Sequence, residues 1–143
     1  DTWEIAAGYT YLDSEATDNG STCTGRAPNT VCTPGNASNG NQMPNVPKNS
    51  ATLWTTYQVM PQLTLGAGAT AMDKVYGDVA NTKYVPGYVR YDTMARYNVN
   101  KNVDLQLNVN NVSNGRYFTK AYASHYATEA EGRSAVLSLN FKY

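Results

Sequence analysis

Charge is scarce in this 143-residue sequence: Lys, Arg, Asp and Glu make up 15 % of it, where soluble domains average roughly 25 %. The 11 basic and 11 acidic residues cancel and form no basic run. That excludes a nucleic-acid partner, whose phosphates need a positive footprint. No apolar stretch approaches the roughly 18 residues of a membrane helix, so an α-helical membrane protein is excluded. Histidine occurs once and cysteine twice, which makes a poor metal-ligand set. Asp1 opens directly into patterned sequence, with no charged-then-apolar leader, so any export signal is expected outside this chain. What is plentiful is tyrosine, with 12 against two Phe and two Trp, and asparagine, with 16. That composition suits strands and turns better than helices.

Strict two-residue alternation recurs in six segments, about 3–14, 50–60, 63–75, 88–99, 103–112 and 133–143. Val103, Leu105, Leu107 and Val109 against Asp104, Gln106, Asn108 and Asn110 is the cleanest. In the first, Trp3, Ile5, Ala7, Tyr9 and Tyr11 share one parity. No helical period competes, so the fold expected is all-β: a six-stranded antiparallel up-and-down meander. Met60-Pro61-Gln62 and Asn100-Lys101-Asn102 join neighbouring segments as tight turns. The other connections, 15–49, 76–87 and 113–132, are longer. Short turns at one end and long loops at the other are typical of outer-membrane barrels.

Two environments fit this alternation. A soluble meander or β-sandwich, as in a secreted binding module, would pack the apolar face on a core. A membrane barrel would turn it to lipid. Tyr and Trp near the segment ends, with Ala, Leu, Val and Thr between, resemble an aromatic girdle around an apolar band. The opposite face is polar but mostly uncharged, as a barrel interior can be. Membrane barrels start at about eight strands, and an open edge in hydrocarbon leaves backbone groups unpaired. On the membrane reading the six strands are therefore a piece of something larger, and the missing strands are expected N-terminal to them.

Several motifs, in order, resemble the C-terminal end of a TonB-dependent outer-membrane receptor, most like the catecholate siderophore receptors. They are Asn45-Val46-Pro47 before Leu53-Trp54-Thr55-Thr56-Tyr57, and Val85-Pro86-Gly87-Tyr88 before Arg90-Tyr91-Asp92. Then come Leu105-Gln106-Leu107-Asn108-Val109-Asn110-Asn111-Val112 with Gly115-Arg116-Tyr117, and Gly132-Arg133-Ser134 leading to Asn140-Phe141-Lys142-Tyr143. The resemblance implies the last six strands of a 22-stranded barrel whose plug domain is absent from this chain. It further implies a location in the bacterial outer membrane, in contact with its lipid. A whole receptor of this kind binds a ferric siderophore and imports it with energy transmitted by TonB through the plug. Phe141 and the terminal Tyr143 are similar to the signal read by barrel-assembly machinery. A fragment of a passive porin-like barrel shares the strand pattern and stands as an alternative.

Cys23 and Cys32, in the long Gly/Asn-rich loop, are expected to form a disulfide in an oxidising compartment. Tyr122, His125 and Tyr126 are loop candidates for stacking on a planar aromatic siderophore, since tyrosine joins apolar area to a polar tip. A solvated loop histidine and loop-packing tyrosines are the plainer alternative. Arg116 and Arg133 flank the last external loop, where they could attract an anionic ferric chelate or serve as structural salt-bridge partners. Arg90, Asp92 and Arg96 lie on the polar parity and are expected to face the lumen, in an interstrand ion pair or against the plug. Iron would be held by the chelator's oxygens, so no cofactor, protein metal ligand or catalytic residue is expected. A single histidine without a nucleophile motif gives no enzyme site.

Overall fold

The computed structural model describes residues 2–17, 20–34, 38–123 and 126–142. Six long strands form one antiparallel sheet: β1 (Trp3–Tyr11), β4 (Asn49–Met60), β5 (Leu63–Met72), β8 (Tyr88–Asn100), β9 (Val103–Asn110) and β12 (Ser134–Phe141). Their spatial order, β1-β4-β5-β8-β9-β12, follows the chain, as in an up-and-down wall. The remaining strands are three short hairpins within the connections: β2 (Ser21–Thr24) with β3 (Val31–Pro34), β6 (Val75–Tyr76) with β7 (Tyr84–Val85), and β10 (Phe118–Ala121) with β11 (Ala127–Glu129).

The register carries each parity intact across the sheet. Trp3 lies opposite Tyr57, Tyr57 opposite Leu65, Leu65 opposite Ala95, Ala95 opposite Leu107, and Leu107 opposite Leu137. A second row runs Ile5, Thr55, Ala67, Thr93, Val109 and Ala135. A slip of one residue at any pair would turn a strand's apolar set to the other face. None occurs within the rows. The two register shifts, at Gln58/Met60 and Asn98/Asn100, fall immediately before the tight turns. There a bulge raises local twist without disturbing the wall.

Among the described residues nothing forms a second layer over the apolar face. Ile5, Leu53, Val89, Leu137, Leu139 and Phe141 are all exposed. Trp3, Tyr57 and Tyr97 ring the tight-turn end, and Tyr9 and Tyr11 the loop end. Buried apolar side chains occur instead in the connections: Val75, Val85 and Ala121 form a small cluster with Phe118 packed against it. The long sheet is therefore a wall without a core of its own, and a small core sits in the loops at one end of it.

Candidate functional site: the polar face and the external loop layer

Alternation places Arg90, Asp92 and Arg96 of β8 on the polar face, together with Gln106 and Asn108 of β9. Arg90 and Asp92 form an ion pair at 2.8 Å, but along one strand, two residues apart, rather than between strands. Successive same-face side chains on a strand are near enough for this. Arg96 bonds Gln106 through two nitrogens, at 3.0 and 2.8 Å, and Gln106 in turn donates to Asn108 at 3.0 Å. Near the tight turns Asp104 accepts from Asn140 at 2.8 Å, with the Lys142 ammonium 3.8 Å away.

One feature of this face escapes an alternation count. Trp54 is on the polar parity, and Gly66 and Gly68 of the neighbouring strand lie beneath its ring. A Cβ on Gly68 would overlap the indole, and one on Gly66 would stand 3.0 Å from it and 3.2 Å from Met94. The glycines allow the ring to lie flat on the wall, so a large aromatic is accommodated with little projection. The readable signal is a Gly-x-Gly pair beside a Trp of the same parity. Glu4, Thr56, Gln58, Thr64 and Arg96 surround it in a basin of about 340 Å³.

At the opposite end from the tight turns, the three external connections join into a layer held by asparagines. Among the described residues the non-glycines with positive φ are all Asn: Asn45, Asn81, Asn111 and Asn114. Asn tolerates the left-handed region because its short polar side chain bonds locally. Here those side chains also bond across connections. Asn45 clamps Ala121 through both amide groups, at 2.9 and 3.0 Å, and its backbone N–H donates to Tyr76. Asn81 clamps Gln42 likewise, with both bonds at 2.8 Å. Asn111, only 2 % exposed, bonds Gly115 N–H and C=O near the start of the third connection and the Glu131 carbonyl near its end. Asn114 accepts from the Arg133 amide at 2.9 Å.

Charges reinforce the same layer. Asp78 accepts from the Thr82 hydroxyl and from the Thr82 and Lys83 amides, which hold its carboxyl below the ordinary aspartate range. Lys74 sits over the rings of Tyr76 and Tyr84 at 5.1 and 5.6 Å, and bonding to Tyr76 raises its pKa. Lys48 is raised by its bond to Asp13, 3.2 Å away. Cys23 and Cys32 are direct register partners in the β2–β3 hairpin and are joined by a disulfide.

Of the candidates from the third connection, Tyr122 and Tyr126 lie between β10 and β11, a hairpin with no alternation signal of its own. Tyr122 follows β10 and Tyr126 precedes β11, with the Tyr122 N–H donating to the Tyr126 carbonyl at 2.9 Å. Tyr122 is 50 % and Tyr126 74 % exposed. His125 lies outside the described residues, as does Tyr143. Arg116 is committed across the hairpin to Glu129 by two bonds, at 2.5 and 3.0 Å. That bond raises the arginine's pKa and lowers the glutamate's. Arg133 is exposed immediately before β12 and, among the described residues, its guanidinium has no ion-pair partner. The structure thus brings Tyr122 and Tyr126 together and ties Arg116 to a carboxylate.

A wall of this topology and register matches known proteins. The family model for the TonB dependent receptor-like beta-barrel matches residues 1–112. The chain belongs to the TonB-dependent receptor family. It is similar to the probable TonB-dependent siderophore receptor PiuA of Acinetobacter baumannii, 74 % identical over 143 residues, which are 100 % of this chain and 19 % of that protein. It is also similar to the probable TonB-dependent receptor BfrD of Bordetella pertussis, 35 % identical over 99 % of this chain and 18 % of the relative. Among solved structures, the siderophore receptor PiuA from Acinetobacter baumannii superposes with a TM-score of 0.88 at 75 % identity, over 100 % of this chain and 20 % of that one. The closed form of the ferric-catecholate import receptor Fiu from Escherichia coli K12 superposes with a TM-score of 0.71 at 27 % identity, over 98 % and 19 %. The chain spans about a fifth of the length of the curated relatives it matches. As a receptor wall it belongs to the outer membrane. The relatives are receptors, not enzymes.

Proposed function

We propose that this chain is the wall and outer mouth of a receptor that binds a ferric siderophore, of the catecholate class, and imports it with TonB-transmitted energy. The observation that carries this reading is the 74 % identity to a probable siderophore receptor along the whole chain, external connections included. The loop layer supplies suitable chemistry. Tyr122 and Tyr126 offer exposed aromatic faces with polar tips, and His125 stands between them in sequence. Arg133, exposed beside the same loop and without an ion-pair partner among the described residues, is able to attract an anionic chelate. Arg116, held by Glu129, contributes less net charge.

Energy reaches the site through a plug domain in the rest of the receptor, which rests on Arg90, Asp92, Arg96 and the Trp54 basin. Outer-membrane lipid covers the apolar face. Phe141 and Tyr143 engage the barrel-assembly machinery. Titration of the receptor carrying this chain with ferric tris-catecholate and with a ferric hydroxamate tests the reading. Tyr122→Ala combined with Tyr126→Ala is expected to weaken catecholate binding about ten-fold, as the loss of an aromatic anchor does. Unchanged catecholate affinity in that variant would remove these residues from the site.

A further inference from the structure

The third external connection, residues 111–133, is anchored from an unexpected direction. Its two ends emerge from β9 and β12, yet its strongest polar tie runs to β8. Asp92 divides its carboxylate between two duties. One oxygen takes the Arg90 guanidinium, at 2.9 Å from Nε and 2.8 Å from Nη2. The other accepts the Asn111 backbone N–H at 2.9 Å. The neighbouring Val112 N–H also crosses to β8, donating to the Tyr91 carbonyl at 2.8 Å. Asn111 then spends its buried side chain on both ends of the connection, at Gly115 and Glu131. Tyr117, from the same connection, stacks on Tyr88 of β8 with ring centroids 4.2 Å apart. Arg90, Asn111, Tyr117 and Glu131 line one small recess.

Asp92 is mostly buried, its side chain 13 % exposed. A carboxylate accepting a charge-assisted bond on each oxygen holds both donors firmly, because such bonds are about twice as strong as neutral ones. We propose that Asp92 is the positioning residue of the third external loop: with Arg90 it fixes, from the lumen wall, the seat of the hairpin that carries Tyr122 and Tyr126. The part concerning ligand affinity rests on the proposed role of those tyrosines; the part concerning loop placement does not.

Asp92→Asn separates the two duties. Its single amide oxygen can accept from Asn111, but its NH2 then faces the Arg90 guanidinium, donor against donor. Arg90→Gln in the same molecule gives that NH2 an acceptor, so the double variant restores the connection without charge. Hydrogen exchange on the receptor carrying this chain, in detergent, reads the result over residues 109–118. Asp92→Asn is expected to speed exchange there about ten-fold, the loss of one charge-assisted bond. The double variant should recover most of the protection. Ladder amides in β4 and β5, and the thermal midpoint of the barrel, should not move; a merely structural role would lower both.

Ferric tris-catecholate titration completes the test. Weakened binding in Asp92→Asn, recovered in the double variant, supports positioning. Unchanged exchange over 109–118 overturns the proposal, whatever the ligand does. If Tyr122→Ala weakens binding while Asp92→Asn does not, the role in affinity is overturned and the tyrosine reading stands. If exchange rises but neither substitution changes affinity, the seat is upheld and the tyrosine reading fails.

Discussion

The six-stranded wall and the external loop layer solve the same problem, satisfaction of backbone polar groups, by different means. In the wall the ladder does it: paired N–H and C=O groups run from β1 to β12, leaving side chains free to serve either face. In the layer there is little ladder, and asparagine side chains substitute for strand neighbours. Asn45 bonds Ala121, and Asn81 bonds Gln42, in the donor–acceptor pattern a paired strand would offer. The wall is thus insensitive to side-chain identity so long as parity holds, whereas each tie in the layer depends on one residue type.

The largest expected effect breaks the wall on one face only. Ala67→Arg, in the middle of the apolar row, should cost about 2–4 kcal/mol of folding into vesicles if that face meets lipid, while Thr56→Arg on the polar face should cost far less. Equal costs on the two faces would overturn the assignment of lipid and lumen. Next, replacing Cys23 and Cys32 by Ser removes the cross-link of the β2–β3 hairpin. For so short a loop the entropic contribution is about 2–3 kcal/mol, felt locally as faster proteolysis within 21–34 and not as loss of the barrel.

Asn81→Gly sharpens the asparagine argument because glycine keeps the positive φ and deletes only the side chain. Two bonds to Gln42 are lost, worth about 1–2 kcal/mol together. Exchange at Gln42 should rise while the β4–β5 ladder stays protected. A spread of the effect into the wall would mean that layer and wall are one cooperative unit. The smallest effect is electrostatic. Bonding to Arg116 lowers the Glu129 pKa, so this pair's contribution is complete above the unfolded-state value of about 4.3. It is lost as pH falls through the lower folded-state value. The protection factor over 118–129, taken against the intrinsic exchange rate at each pH, should fall in that window and not in the Glu129→Gln variant.

Legibility followed the same division. The six long strands were readable because a two-sided wall imposes a strict period of two, and the register then had one solution. The hairpins β2–β3, β6–β7 and β10–β11 were not, being two to four residues a strand and too short to show a period. Arg90 and Asp92 were readable as sharing the polar face, but their pairing along one strand, and the second duty of Asp92 toward Asn111, depend on where β9 ends. Trp54 was visible only as part of the motif Leu53-Trp54-Thr55-Thr56-Tyr57. Its meaning required the neighbouring strand's glycines to be placed beneath it.

The sequence by itself determined that this is a β wall with one apolar and one polar face, with tight turns at one end and long connections at the other. Period and turn chemistry are local properties, written within ten residues of one another. Only the tertiary structure decided which asparagines tie which connections together, and that the seat of the third loop lies on β8. Those contacts join residues as far apart as Asn45 and Ala121, and chain pattern carries no record of which distant backbone group a side-chain amide will meet.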